Sequence, residues 1–178
     1  MTKTFAVVDV HYPDTGGARA AAMLSSRADL ATITTARTAT LEHVAEYRPG
    51  NFYERELPAI AAVLDELPPI DVLVIDGYVD LDPDGRPGLG MHAWQEQLAP
   101  VVIGVAKTRF HSATHAAEVR RGTATSPLYV TSIGIDLADA ADLVRGMSGG
   151  ARVPDALRLV DRLARGKLEP SDVASSVG

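Results

Sequence analysis

The 178-residue chain contains no cysteine. Disulfides and thiolate zinc sites are therefore excluded, and a reducing compartment suits the chain without being required by it. No apolar stretch approaches the ~20 residues needed to span a bilayer. The longest apolar stretches cover only residues 72–75 and 100–106. Met1-Thr2-Lys3-Thr4 leads straight into a short apolar segment, with neither the longer apolar run nor the small-residue cleavage site of a secretory signal. Internal repeats and low-complexity segments are also missing. These absences lead us to expect a soluble, cytoplasmic protein with no membrane partner and, in the absence of any oligomerisation signature, a monomer. The composition that remains, 46% hydrophobic and 22% charged, is that of an ordered globular protein. Its length suits one compact domain with a sizeable core. We expect that domain over residues 1–168, followed by a flexible tail over 169–178.

The net charge of −6 speaks mildly against a nucleic-acid partner, but its distribution matters more than its sum. Residues 1–103 carry 7 basic and 15 acidic side chains, a balance of −8, whereas residues 104–167 carry 10 basic and 6 acidic, a balance of +4. A basic half can supply phosphate contacts and clustered acids can bind cations, although chance scatter of surface charge would look the same.

Hydrophobic periodicity supplies the element order. Residues 5–10 read as a buried strand, followed by polar turn material over 11–17. Residues 18–26 and 30–38, rich in small and β-branched side chains, read as two more strands and suggest an antiparallel meander. After a break at 47–50, apolar residues recur at helical spacing over 53–67. The near-continuous apolar run 71–76 marks a strand covered on both faces. A Gly/Pro/Asp-rich loop over 77–90 and a short helix over 91–98 lead to another buried strand, 101–106. A strand pair over 116–121 and 128–132 precedes two closing helices, 137–147 and 154–165. The pattern indicates an α/β layer structure: a mixed sheet of three antiparallel strands followed by parallel strands, flanked by helices. That is compatible with a ribonuclease H-like fold without singling it out.

Four carboxylates occupy positions where backbone can hold them rigidly. Asp9 interrupts the first strand, Asp76 ends the central buried strand, Glu56 lies near the start of the first helix and Asp161 on the last. A carboxylate at the end of an apolar strand is poorly solvated and needs a partner, and several converging would suit a hard divalent cation. Each taken singly is equally explained as a turn former or a solvated helix face, and spacing alone does not show convergence.

Five segments in order extend the reading. Tyr47-Arg48-Pro49-Gly50, four further residues and then Arg55-Glu56 resemble the signature Tyr-x-Pro-Gly…Arg-Glu of the endonuclease V family. Val74-Ile75-Asp76-Gly77 resembles that family's strand-end Asp-Gly, Gly104-Val105-Ala106-Lys107 its Gly-Val-Ala-Lys, and Asp9-Val10 its first Asp-Val. Arg152-Val153-Pro154-Asp155, with Arg158 and Asp161 beyond, resembles its C-terminal segment. The resemblance covers about residues 5–165 and implies a ribonuclease H-like fold. It implies that Asp9, Glu56 and Asp76 bind Mg²⁺, with Mn²⁺ able to substitute. Asp161 would complete the site as ligand or as orienter of the attacking water, and Lys107 would neutralise charge on the scissile phosphate. The implied activity is a nick in DNA, with RNA as an alternative, one nucleotide 3′ of a deaminated base such as inosine, leaving 3′-hydroxyl and 5′-phosphate ends. Tyr47, Arg48, Pro49 and Gly50 would form the wedge where the base leaves the stack. Gly77 would belong to the loop that receives the base. His92 aligns with a family histidine and either contacts nucleic acid or merely begins a helix.

Departures fall on the specificity side. Val79 stands where the family's second loop glycine is expected, so its side chain is expected to narrow the base pocket. The family's later Gly-His-Arg reads here as Ile133-Gly134-Ile135, which does without two polar side chains. Residues 80–85 match the first half of a calcium loop, yet Met91 stands where its bidentate Glu belongs, which favours a solvated turn. His111 and His115 have zinc-protease spacing, but Ser112 replaces the catalytic Glu, which favours a polar loop. Two other functional readings stand beside the first: a nuclease of the same fold with an RNA or structure-selective substrate, and a non-catalytic nucleic-acid-binding module. The second of these has no need of closely packed like charges.

Overall fold

The computed structural model describes residues 1–49, 51 and 53–174. Its elements run β1 (Phe5–His11), β2 (Ala18–Ser25), β3 (Thr35–Leu41), α1 (Tyr53–Leu64), β4 (Val72–Asp76), α2 (Leu89–Gln95), β5 (Val101–Ala106), β6 (Ala117–Val119), β7 (Leu128–Ile133), α3 (Leu137–Arg145), α4 (Asp155–Ala164) and α5 (Pro170–Ala174). The seven strands form one sheet in the order β3-β2-β1-β4-β5-β7-β6. β1, β2 and β3 make the expected antiparallel meander, and β4 and β5 extend it in parallel from β1. Beyond the parallel centre, β7 and β6 return antiparallel.

Strand alternation divides the core between the two faces of the sheet. Val7, Met23, Val74, Ile103 and Val105 pack beneath α3, α4 and α5, through Ala140, Val144, Leu157, Val160 and Leu163. Ala6, Val8, Leu73, Ile75 and Val102 pack on the other side against α1 and α2, through Ile60, Val63 and Ala93. β2 carries Ala20, Ala21 and Ala22 fully buried, so helices approach both of its faces closely. Among the described residues no helix is long and apolar enough to cross a membrane.

Of the boundaries that differ from the sequence expectation, three have a clear physical reason. The third strand begins at Thr35 rather than at residue 30. Leu30 (φ +53°) and Ile33 turn inward and plug the core beside α4, while the Thr34 amide and hydroxyl both bond the Leu24 carbonyl. β6 stops at Val119, and Arg121 is buried instead of continuing the strand. Its guanidinium donates to the carbonyls of Met147 (2.5 Å), Gly149 (2.8 Å) and Ala151 (2.9 Å), pinning the connector between α3 and α4. The tail expected from residue 169 instead contains α5, because Val173, 1% exposed, completes the α-helical side of the core. Residues 175–178 of that tail lie outside the described residues.

Candidate functional site

Parallel pairing of β1 with β4 builds the site's floor. The register matches Phe5 with Val72 and runs to Val8 with Ile75. One residue further, Asp9 and Asp76 stand side by side at the same end of the sheet, on the strand face that Val7 and Val74 share beneath α4. Asp161 reaches them from α4, Glu56 from the first turn of α1, and Lys107 from the position just past β5. These five side chains and Arg165 line a single cavity of about 170 Å³. The sequence-derived set Asp9, Glu56, Asp76, Lys107 and Asp161 is thus brought together from five separate elements.

The electrostatics follow from crowding acids in a partly dry place. Burial, then the charge of Asp76, pushes the Asp9 carboxyl up to about 7, with Asp161 adding to the rise and the Val10 amide (2.9 Å) opposing it. Burial, then Asp76 again, pushes Glu56 up to about 7 against the pull of Arg55. Asp161 moves the other way. Burial raises it, but the Arg165 Nε bond (2.8 Å) and charge, with Asp9 and Lys107, hold it below the usual range. Asp9 and Asp161, which share a hydrogen bond, are thus pushed in opposite directions. Lys107 Nζ lies 3.4 Å from Asp76.

Four carboxylates, two of them pushed up by burial and mutual repulsion, outnumber the two cations of the cavity and offer only hard oxygen donors. They fit a divalent cation such as Mg²⁺. Among the described residues no three acids or histidines are already spaced to hold an ion. Asp76 and Asp161 are each engaged by a cation, Lys107 and Arg165 respectively.

A second, larger cleft of about 620 Å³ adjoins the first, with Glu56 and Asp76 lining both. Tyr53, Gly77, Tyr78, Arg86, His92 and Phe110 form most of its remaining wall. His92 lies within α2, stacked on Tyr53 with ring centroids 3.6 Å apart, and burial holds its imidazole below the ordinary value. Gly77 takes φ +135°, a conformation that strains any other residue, and its amide bonds the Val105 carbonyl. Tyr47, 52% exposed, and the exposed Arg48 and Pro49 stand on the loop between β3 and α1; Gly50 lies outside the described residues.

Val79 corrects the expectation placed on it. Its side chain is fully buried in the core between the sheet and α2, and it does not line the cleft. The space it fills is left open by Gly90, where an added Cβ would come within 2.8 Å of the Val79 methyl. The Val79 amide is met by Thr131, whose hydroxyl accepts it at 2.8 Å. The half-matched calcium loop is a tight turn in which the Asp82 carboxylate accepts the amides of Asp84 and Arg86, while Asp80 faces His115.

Several residues escaped the sequence reading. Arg165 was findable as a cation four positions after Asp161, one helical turn away. Tyr78 and Phe110 were not, because nothing in sequence reveals that two loops line one cleft. Arg55 and Arg152 fell inside family-like segments without a stated contact. Arg55 lies 4.1 Å from the centre of the Tyr12 ring, and Arg152 donates to the carbonyls of Lys107 (2.5 Å), Pro127 (2.8 Å) and Ser126 (3.0 Å).

The sequence model of the endonuclease V family matches residues 1–133. An endonuclease V of Streptomyces avermitilis is 30% identical over 184 aligned residues, spanning 91% of this chain and 79% of the relative. Superposition on a crystal structure of endonuclease V from Streptomyces avermitilis gives a TM-score of 0.77 at 26% identity, covering 96% of this chain and 83% of that one. Endonuclease V of Ciona intestinalis, crystallised with a 23mer DNA containing an inosine followed by a ribo-adenosine, gives 0.79 at 17% identity, covering 93% and 85%. The fold is therefore ribonuclease H-like, and the chain belongs to the endonuclease V family.

Proposed function

We propose that this nuclease is a divalent-metal-dependent endonuclease that nicks DNA, with RNA a second candidate, one nucleotide 3′ of a deaminated base such as inosine. It would act as a cytoplasmic monomer. One observation carries the reading: four carboxylates and a lysine from five elements meet in one cavity, and a base-sized cleft opens beside it.

Asp9, Glu56, Asp76 and Asp161 would hold Mg²⁺, or Mn²⁺ in its place; the ion when bound would acidify water and offset charge on the phosphate. Lys107, already beside Asp76, offers its ammonium to a non-bridging oxygen of the scissile phosphate. Asp161, kept ionised by Arg165, would complete the site either as a ligand to the ion or by orienting the attacking water. Water adds to phosphorus in line and loses its proton to solvent, the bond to the 3′ oxygen breaks, and that oxygen takes a proton from solvent to leave as a hydroxyl while the phosphate stays 5′. On the recognition side, Tyr47 to Pro49 present an exposed wedge, and the Tyr53–His92 stack offers an aromatic wall to an extruded base.

The test is a nicking assay with Mg²⁺ or Mn²⁺ on matched single- and double-stranded DNA and RNA, with and without one inosine. A nick one nucleotide beyond inosine is the expected result. Cleavage indifferent to inosine would keep the nuclease and reject the lesion preference. Asp76→Asn should lose at least about 10³-fold in cleavage while retaining binding in a gel-shift assay; cleavage near wild-type rate in that variant would contradict the assignment.

A further inference from the structure

Opposite the Tyr53–His92 wall, the larger cleft is lined by two loops that leave adjacent parallel strands, residues 77–88 after β4 and, through Phe110, residues 107–116 after β5. The first loop has its own scaffold. The Leu81 amide bonds the Arg86 carbonyl and the Gly88 amide the Val79 carbonyl, both at 2.8 Å, and Asp82 accepts two amides from within the turn. The second loop has two backbone turn bonds of its own, from Ala113 to Phe110 and from Ala116 to Ala113. Beyond the Arg152 bond to the Lys107 carbonyl at its base and the ion pair of Arg109 with Glu118, its side-chain support comes from the first loop. The Tyr78 hydroxyl donates to the Thr108 carbonyl (2.7 Å) and accepts the Phe110 amide (2.9 Å). The Ser112 hydroxyl donates to the Leu81 carbonyl (2.6 Å). His115 Nε2 meets Asp80 Oδ1 at 2.8 Å, with the two side chains only 23% and 22% exposed.

From these contacts we infer that Tyr78 and the Asp80–His115 pair form a clasp. It holds the Phe110 loop at a fixed distance from the Tyr78 loop and thereby sets which nucleobase the cleft accepts. The clasp stands on geometry, and its role in base choice rests on the function proposed above. Tyr78 carries both duties: its ring lines the cleft, tilted against Phe110 with centroids 6.0 Å apart, while its hydroxyl bridges two backbone groups of the second loop. His115 does not line the cleft and acts through the loop alone, which makes it a positioning residue. The loops begin at Gly77 and Lys107, immediately beside the carboxylate cavity, so a fixed cleft width also fixes where the base sits relative to the scissile bond.

Two measurements on the full chain test this. In hydrogen–deuterium exchange without nucleic acid, Tyr78→Phe and His115→Ala should each speed exchange over residues 107–116 by about 5- to 10-fold. His115→Gln, which can still donate to Asp80, should restore protection. In nicking kinetics, His115→Ala should raise KM for the inosine strand about 10-fold, the equivalent of removing one or two hydrogen bonds. Its kcat should fall less than about 2-fold, and discrimination against unmodified DNA should shrink. Exchange as slow as wild type in both variants overturns the clasp. Faster exchange with undiminished discrimination overturns its role in selectivity. A wild-type protein indifferent to inosine defeats the substrate reading instead, and the exchange arm still decides whether the clasp exists.

Discussion

Removing one negative charge from the cavity should make the metal-free protein more stable while disabling it, and the size of the gain follows from the geometry. Asp9 is pushed up from 3.8 to about 7 by burial, Asp76 and Asp161. A shift of about 3 units corresponds to roughly 4 kcal/mol at about 1.4 kcal/mol per unit. That figure is a ceiling, since Asp9 shares a hydrogen bond with Asp161 and the cavity is open to water. An expected gain of about 2 kcal/mol for Asp9→Asn is the working value. The substitution is close to isosteric: the amide oxygen can keep the Val10 N–H bond, and the amide nitrogen can donate to Asp161. For a chain of this length the gain converts to a Tm rise of about 4–8 °C at pH 8 in a chelator.

The pH dependence has a definite sign. An acid whose folded pKa is raised binds its proton more tightly in the folded state, so wild-type stability falls as pH climbs from about 3.8 to about 7 and stays low above that. The advantage of Asp9→Asn should therefore be full at pH 8, shrink as pH falls through the acid range, and be lost below pH 4. Thermal melts of both proteins at these values, with EDTA throughout, measure it directly. A lower Tm for the variant at pH 8, or a difference indifferent to pH, would refute the reasoning. Adding Mg²⁺ should raise the wild-type Tm and move the variant less.

Three further perturbations follow from packing. Val79→Gly empties a fully buried position and should cost about 2–4 kcal/mol in a denaturant titration, without improving cleavage at inosine, because the side chain lies outside the cleft. Gly104→Ala would set a Cβ 2.5 Å from the Gly77 carbonyl and 2.9 Å from the Val79 amide. It should lower Tm and slow cleavage together by displacing the loop that follows Asp76. Arg152→Ala frees the carbonyls of Lys107, Ser126 and Pro127 and should cost about 1–3 kcal/mol. In kinetic assays its larger effect should fall on kcat, through the loosened Lys107.

What could be read in sequence was what periodicity or spacing encodes. The apolar run before Asp76 identified a strand buried on both faces, and the two closing helices declared themselves by their amphipathic stripes. Asp9, Glu56, Asp76, Lys107 and Asp161 were singled out because rigid elements carry them and because ordered family-like segments contain them. Their meeting was hidden, since it depends on a β1–β4 register between residues 67 positions apart in the chain. Val79 was misread for a related reason. A substitution at a loop glycine does not reveal which way the new side chain turns, and here Gly90 makes room for it on the core side. The helix at Pro170–Ala174 is too short for its periodicity to be seen, and only the burial of Val173 against the sheet accounts for it.

The order of elements also governs when the cavity is completed during synthesis. Asp9, Glu56, Asp76 and Lys107 all belong to the first 107 residues, and the sheet that positions them is complete at Ile133. Asp161 and the apolar face that roofs Val7 and Val74 arrive only with α4, whose approach is set by the connector that Arg121 grips. A chain stalled on the ribosome before residue 155 carries Asp9, Glu56, Asp76 and Lys107 but neither the apolar cover of α4 nor the aspartate that faces Asp9. Release at such a point leaves the apolar sheet face of Val7 and Val74 uncovered, the kind of surface on which partly made chains aggregate.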